Sequence, residues 1–207
     1  MNKQKTLPED FRYLPGRLDA TAQQDLATAI ARVIEAAPLY RPVMPRTGRA
    51  FSVRMTNCGR LGWLSDKAGG YRYEARHPVT GQPWPAIPDI LLTLWADLSH
   101  YPAPPEACLV NHYAPGAKLG LHRDQDEADM AAPVISVSLG DDAWFRIGGL
   151  GRRDPTVRLL LRSGDVVVLA GKSRLAYHAL DRIVAGSASL FGEPGRINLT
   201  LRRVNRA

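Results

Sequence analysis

The part of the chain that constrains the fold most is everything after Pro105. Eight short runs follow one another closely: ACLVNHYA, LGLHRD, VISVSLG, AWFRIGG, VRLLL, DVVVLAG, LAYHAL and RINLTLRR. Turn signals separate them, among them APG, GDD, GGLGRRDP, RSGD and AGKS. Short apolar or alternating runs with no helical pattern between them argue against a parallel α/β sheet and predict an antiparallel barrel or jelly roll. GGLG lies between two such runs and lacks GK[ST], so it is not a phosphate loop. Two helical patterns precede this region. In TAQQDLATAIARVIEAAP, Leu26, Ile30, Val33, Ile34 and Ala37 share a face, Thr21 and Gln24 resemble a capping box, and Pro38 marks the end. PDILLTLWADLSH carries proline at its start. AFSVRMTNCG reads as a strand, residues 62–81 as a loop-rich region holding Trp63, Tyr71 and Tyr73, and residues 1–18 as an irregular arm. The expected class is mostly β with flanking helices.

Chemistry concentrates in the strand-rich part. If residues 120–124 of LGLHRDQDE are extended, His122 and Asp124 face the same way, with Asp126 following. A histidine beside a carboxylate is two thirds of the 2-His-1-carboxylate set that holds non-haem Fe(II). A surface strand running into an acidic turn accounts for the same triplet, so it needs company. RLAYHAL supplies His178, which a sheet folded back on itself can bring alongside. NHY places Asn111 and Tyr113 on one strand face. In RINLTLRR, Arg196, Asn198, Thr200 and Arg202 alternate with Ile197, Leu199 and Leu201. Alternation alone does not say whether the polar face meets water or a polar interior. The spacing of Arg196 and Arg202, about 20 Å along an extended strand, leaves room for a short dicarboxylate between two inward-reaching guanidiniums. Iron with one aspartate is a net cation; a dicarboxylate reverses the sign, and a permanent cation such as Arg suits that arrangement.

Charge bears on partners. Lys and Arg total 27 against 20 Asp and Glu, net +7, which favours an anionic partner such as nucleic acid without requiring one. No apolar run is long enough for a membrane span, and MNKQKTLPEDFRYLPG has no signal-peptide core, so a cytoplasmic location is expected. Two cysteines, Cys58 and Cys108, make neither a disulfide framework nor a thiolate metal site.

The segments MTNCGRLGW, NHYAPGAKLGLHRDQDE, GDVVVLAGKSRLAYH and RINLTLR, in this order from about residue 50 to the end, resemble the AlkB family of Fe(II)/2-oxoglutarate-dependent dioxygenases. The resemblance implies a double-stranded β-helix, a jelly-roll variant, over residues 105–205 of a single catalytic domain spanning 1–207. It implies a nucleotide-recognition lid and helix over 50–100; residues 1–49, read from their own pattern as an N-terminal arm and helix, match the family poorly and inherit nothing from it. His122, Asp124 and His178 match its iron ligands and catalytic centre. Asn111, Tyr113, Arg196, Asn198 and Arg202 match its 2-oxoglutarate contacts. Trp63, Tyr71, Asp126 and Arg152 match its substrate contacts, Tyr71 across a lid one residue longer than the family pattern. Ile197 stands where an aromatic is expected. The implied reaction uses Fe(II), 2-oxoglutarate and O2 to demethylate bases such as 1-methyladenine and 3-methylcytosine, releasing formaldehyde and succinate. The implied partner is alkylated DNA, foremost single-stranded, with RNA as the alternative, and the protein is expected to be a monomer off the membrane. Competing readings are a same-fold dioxygenase acting on RNA, tRNA or protein, a cupin-like metal-binding module, and a non-catalytic nucleic-acid binder. Cupins present His-x-His where this chain has His-x-Asp, and charge alone leaves the histidine spacing unexplained.

Overall fold

The computed structural model describes residues 6–207. Its strands are β1 (Phe11–Leu14), β2 (Arg54–Gly59), β3 (Gly62–Asp66), β4 (Gly70–Glu74), β5 (Ala107–Tyr113), β6 (Leu119–His122), β7 (Val134–Gly140), β8 (Asp142–Ile147), β9 (Val157–Leu161), β10 (Val166–Leu169), β11 (His178–Val184) and β12 (Arg196–Arg202). The helices are α1 (Ala20–Ala36) and α2 (Asp89–Ser99). A six-stranded sheet in the order β1-β10-β7-β12-β5-β2 faces a four-stranded sheet in the order β6-β11-β8-β9, and β3 with β4 forms a separate hairpin. The pairings are antiparallel throughout. This is the jelly-roll sandwich that the strand-rich half of the sequence predicts.

Period-2 alternation assigns each face of the large sheet. On β12, Ile197, Leu199 and Leu201 pack outward with Val110, Val137 and Val168 against Leu26, Ile30 and Val33 of α1 and Leu91, Leu94 and Trp95 of α2. The two helices therefore cover the apolar face, as their amphipathic patterns require. Arg196, Asn198, Thr200 and Arg202 point the opposite way and line the space between the sheets. The ambiguity of the alternating strand is thereby resolved: its polar face is interior. Ile197 lies in the helix-facing core, away from that space.

Four expectations are corrected. The arm is irregular only in part, because Phe11–Leu14 form β1, which pairs with β10 along Phe11–Leu169 to Leu14–Val166 at the edge of the large sheet; residues 1–5 of the expected arm lie outside the described residues. The cap of α1 is Asp19, whose carboxylate accepts from Ala22 N at 2.8 Å, so Thr21 sits inside the helix. The loop-rich region contains the β3–β4 hairpin, turned through Asp66, whose carboxylate accepts from the Ala68 and Gly69 amides. Strand β6 stops at His122, so Asp124 is not part of the extended run.

Gly59 ends β2 where the chain leaves the large sheet for the hairpin. Its φ of +121° disfavours L side chains, and an added Cβ falls 2.4 Å from the Glu106 carbonyl oxygen. Neither strain relaxes without moving backbone. Gly59→Ala is expected to cost about 2–4 kcal/mol, read as a lowered midpoint in denaturant unfolding; an unchanged midpoint contradicts this account of the junction.

Candidate active site

His122 closes β6 and His178 opens β11, and the two are direct cross-strand partners. Their rings lie 4.4 Å apart, centroid to centroid. Asp124 follows on the irregular segment, with Oδ1 3.9 Å from His122 Nε2 and Oδ2 3.9 Å from His178 Nε2. One donor atom from each side chain lies within 4.8 Å of the others, close enough to share one ion. Each imidazole is already oriented. His122 Nδ1 is 2.8 Å from Gly120 O and His178 Nδ1 is 3.0 Å from Ala176 O. A carbonyl only accepts, so both Nδ1 atoms carry the proton and both Nε2 lone pairs face the cluster. Two neutral imidazole nitrogens and one carboxylate oxygen, with the remaining directions open to a cavity, suit a non-haem divalent iron.

The protonation states agree. Burial, with His122 nearby, pushes the His178 imidazole down to about 4, leaving it neutral at pH 7. Burial pushes the Asp124 carboxyl up, but the Arg202 guanidinium and the two histidines more than reverse this, holding it well below the usual carboxylate range.

The same cavity, about 880 Å³, contains every residue expected at the site: His122, Asp124, His178, Asn111, Tyr113, Arg196, Asn198, Arg202, Trp63, Tyr71, Asp126 and Arg152. Register explains why four of them meet, since Arg196 pairs with Tyr113 and Asn198 with Asn111 across β12 and β5. Arg196 is fully buried and donates to Asp141 O, Leu161 O and the Ser138 hydroxyl, neutral acceptors all, without an ion pair among the described residues. Burial lowers it only to about 10, so it remains a cation at pH 7. A buried cation without a carboxylate in direct contact is costly, and Asp141, Asp142 and Asp165 offset part of that cost from further away. Arg196 Nε, Arg202 Nε and Asn111 Oδ1 are also buried without partners. Two guanidiniums on residues that line one cavity fit a bound dicarboxylate, which supplies the missing charge and acceptors; the Asn111 oxygen, itself an acceptor, lacks a donor.

The mouth is walled by the hairpin. Trp63 and Tyr71 stack at 5.5 Å and 21°, and the Trp63 indole donates to Asp126 Oδ2 at 2.8 Å. Tyr71 therefore faces Trp63 despite the longer lid. Arg152 donates to Leu121 O at 3.0 Å and, with Arg123, lies near the Tyr177 ring. Arg41, Arg49 and Lys118 also line the cavity.

Several of these were not foreseen. Glu127 is completely shielded, 3.0 Å from Arg174 and 2.9 Å from Arg202. Arg174 also donates to Asp124 O at 2.8 Å and Ala132 O at 2.8 Å, fixing the segment that carries the aspartate. Tyr73 joins this group through its hydroxyl. The only signal in the sequence was their position inside the segments already marked, Glu127 three residues after Asp124 and Arg174 four before His178.

A jelly roll holding two histidines and an aspartate beside buried arginines defines a 2-oxoglutarate-dependent iron oxygenase, and the profile of the 2OG-Fe(II) oxygenase superfamily matches residues 10–202. The alpha-ketoglutarate-dependent dioxygenase AlkB homolog of Caulobacter vibrioides is 53% identical over 207 residues, covering 99% of this chain and 92% of the relative. AlkB of Escherichia coli is 46% identical over 194 residues, covering 92% and 88%. The solved structure of OsALKBH1 superposes with a TM-score of 0.80 at 30% identity, covering 97% of this chain and 99% of that one. The chain belongs to the AlkB family of that superfamily.

Protonation of His178 links the site to stability. A histidine with a depressed folded-state pKa stabilises the fold above its unfolded value of about 6.5, and that contribution is lost as pH falls towards the folded value of about 4. Metal-free protein is expected to lose up to about 3 kcal/mol from this group across that window. In His178→Gln the stability profile between pH 6.5 and 4 flattens; an equally steep acid loss in the variant removes His178 as its source.

Proposed function

We propose that this Fe(II)/2-oxoglutarate dioxygenase repairs alkylated nucleic acid, demethylating bases such as 1-methyladenine and 3-methylcytosine with release of formaldehyde and succinate. One observation carries the reading: the three metal-binding side chains and the buried Arg196 open into the same cavity whose mouth is walled by Trp63, Tyr71 and Asp126. Relatives that cover most of the chain carry the same enzymatic name. Residues 1–207 act as a single catalytic domain, with 1–49 as arm and helix, 50–100 as lid and helix, and 105–205 as the core.

Fe(II) and 2-oxoglutarate, when bound, supply with O2 the oxidising power that converts a methyl C–H to an alcohol, 2-oxoglutarate leaving as succinate and carbon dioxide. The chain's own groups do the rest. His122, Asp124 and His178 hold the metal. Arg196 takes the far carboxylate, Arg202 and Asn111 the near end, while Tyr113 and Asn198 complete the cradle. Burial pushes the Tyr113 phenol up, so its hydroxyl remains a donor. Trp63 offers its face to an extruded base, and Asp126 offsets the positive charge of a methylated ring while accepting from its exocyclic amine. Arg152, with Tyr71, grips the adjoining phosphate. Methylation at these nitrogens blocks Watson–Crick pairing, so the damaged base leaves the helix at lower cost, and a single strand lowers it further. The hydroxymethyl adduct on nitrogen then breaks down to formaldehyde and the restored base.

Nucleic acid is the partner, single-stranded DNA before RNA, and the protein acts as a monomer in the cytoplasm. Among the described residues, no helix is long and apolar enough to cross a membrane.

Reconstitution without oxygen, followed by air and a single-stranded oligonucleotide carrying 1-methyladenine, is expected to give succinate and formaldehyde in equal amounts. Methylated RNA and peptide serve as competitors. Succinate without formaldehyde, or turnover favoured by the peptide, sinks the nucleic-acid reading. In His122→Ala, turnover is expected to fall by more than about 100-fold, beyond the 10–100-fold loss typical of a merely supporting residue. Asp126→Ala should lower kcat/KM for the methylated strand about tenfold or more, a loss of one charge-assisted contact, while calorimetric 2-oxoglutarate affinity holds. An equal loss of cofactor binding assigns Asp126 to structure instead.

A further inference from the structure

Trp63 and Tyr73 lie directly opposite each other on the β3–β4 hairpin. Their polar hydrogens go to consecutive acids, the Trp63 indole to Asp126 and the Tyr73 hydroxyl to Glu127. What stands behind the two acids differs. Asp126 lines the cavity. Glu127 is sealed, and Arg202 lies beyond it. Arg202 Nη1 reaches both Glu127 Oε1 at 2.9 Å and the Tyr73 hydroxyl at 3.2 Å, while Nη2 pairs with Asp124 at 2.9 Å. Arg174 closes the cluster on the far side of Glu127.

We infer that Tyr73 and Glu127 are positioning residues that tie the hairpin to Arg202, so that 2-oxoglutarate and the nucleic-acid strand bind with positive coupling. This rests on the reading of Arg202 as a 2-oxoglutarate contact. Both Nη groups of Arg202 are committed to fixed oxygens, while its Nε is buried without a partner and the residue lines the cavity. The rotamer that leaves Nε free is therefore the rotamer that meets Tyr73. Glu127 and Asp124 already neutralise Arg202, so the phenol is not needed for charge balance. Among the described residues, the Tyr73 hydroxyl is the only hairpin atom hydrogen-bonded to this cluster. Hairpin docking and cofactor binding thus favour one state of Arg202. Two ligands that select the same state must each tighten the other by the same factor.

Tyr73→Phe removes the hydroxyl and keeps the ring that packs against the Val53, Met55 and Trp63 cluster. The test uses full-length protein loaded with Mn(II), which is inert in this reaction. 2-Oxoglutarate affinity is measured by calorimetry with and without a saturating single strand carrying 1-methyladenine. Hydrogen exchange across residues 62–74 is followed with and without 2-oxoglutarate. In the wild type, the strand is expected to tighten 2-oxoglutarate by about fivefold or more, and 2-oxoglutarate to slow exchange in the hairpin. In Tyr73→Phe, 2-oxoglutarate affinity falls about tenfold, the scale of one hydrogen bond to a charged group, the coupling ratio falls to near one, and hairpin exchange stops responding. Mn(II) affinity and Tm stay near wild-type values, which separates positioning from general destabilisation. Glu127→Gln should lose the coupling as well. A Tyr73→Phe protein with the wild-type coupling ratio and protection overturns the inference. Succinate and formaldehyde release by the iron-loaded wild type, measured in parallel, tests the catalytic reading by itself: a wild type that demethylates but shows no coupling overturns the latch alone.

Discussion

The ion-pair cluster around Arg202 is what lets a β-sandwich carry charge on its inward faces. Arg202 engages Asp124 and Glu127 at 2.9 Å each, and Arg174 holds the remaining oxygen of Glu127. Burying ions is costly unless every one is paired, and removing one partner leaves the others exposed to the low-dielectric interior. Here the pairing also has a direction. It keeps Asp124 ionised, and it fixes the backbone that carries Asp124 through the Arg174 bond to its carbonyl. The aspartate of the group that could hold a metal is thereby oriented by the same interaction that makes the buried charges tolerable. Arg196, at the other end of β12, lacks such a carboxylate, and that asymmetry distinguishes the end that organises the metal from the end that awaits an anion. Fe(II) and a dicarboxylate carry charges of opposite sign and equal size, so the loaded site keeps the net charge that the protein's own side chains give it.

Much of this was legible in the sequence because it is periodic. The alternation of RINLTLR fixed which residues share a face, and the register of β12 with β5 then placed Asn111 and Tyr113 on that face. What alternation lacks is the identity of the medium, since water and a polar cavity impose the same pattern; only the helices packed on Ile197, Leu199 and Leu201 decide it. Asp124 met His122 for a reason other than the expected one. The strand ends at His122, and the aspartate is held in reach by Arg202 and Arg174, partners 78 and 50 positions along the chain. The Tyr73–Glu127 contact spans 54 positions and leaves no local trace. Nor does β1: FRYL is too short to display a period, and its strand character comes from pairing with β10. The hairpin was hidden by its composition, because glycine, lysine and aspartate crowd a turn that the flanking Trp63, Tyr71 and Tyr73 then extend into strands.

The division of labour between the layers follows from burial. Helices α1 and α2 remove water from the large sheet's apolar face and touch none of the chemistry. Along β12 the opposite face offers the small sheet no apolar stripe, so a cavity stays open there, while Phe145, Ile147 and Leu161 of the small sheet pack against Val134, Val167 and Leu169 of the large one. A sandwich that closed this gap with side chains would be more stable and would have no room for a cofactor.

His122 and His178 each donate Nδ1–H to the backbone carbonyl two residues earlier, Gly120 O within β6 and Ala176 O in the segment just before β11. No distant carboxylate is needed for this purpose. The tautomer of both histidines is thereby set by main-chain atoms close in sequence, whereas the hairpin wall at the cavity mouth hangs on a two-stranded ribbon and a pair of adjacent acids. Main-chain acceptors do not depend on the side chains around them, so substitutions in the hairpin can reshape the mouth of the cavity without changing which nitrogens face the cluster.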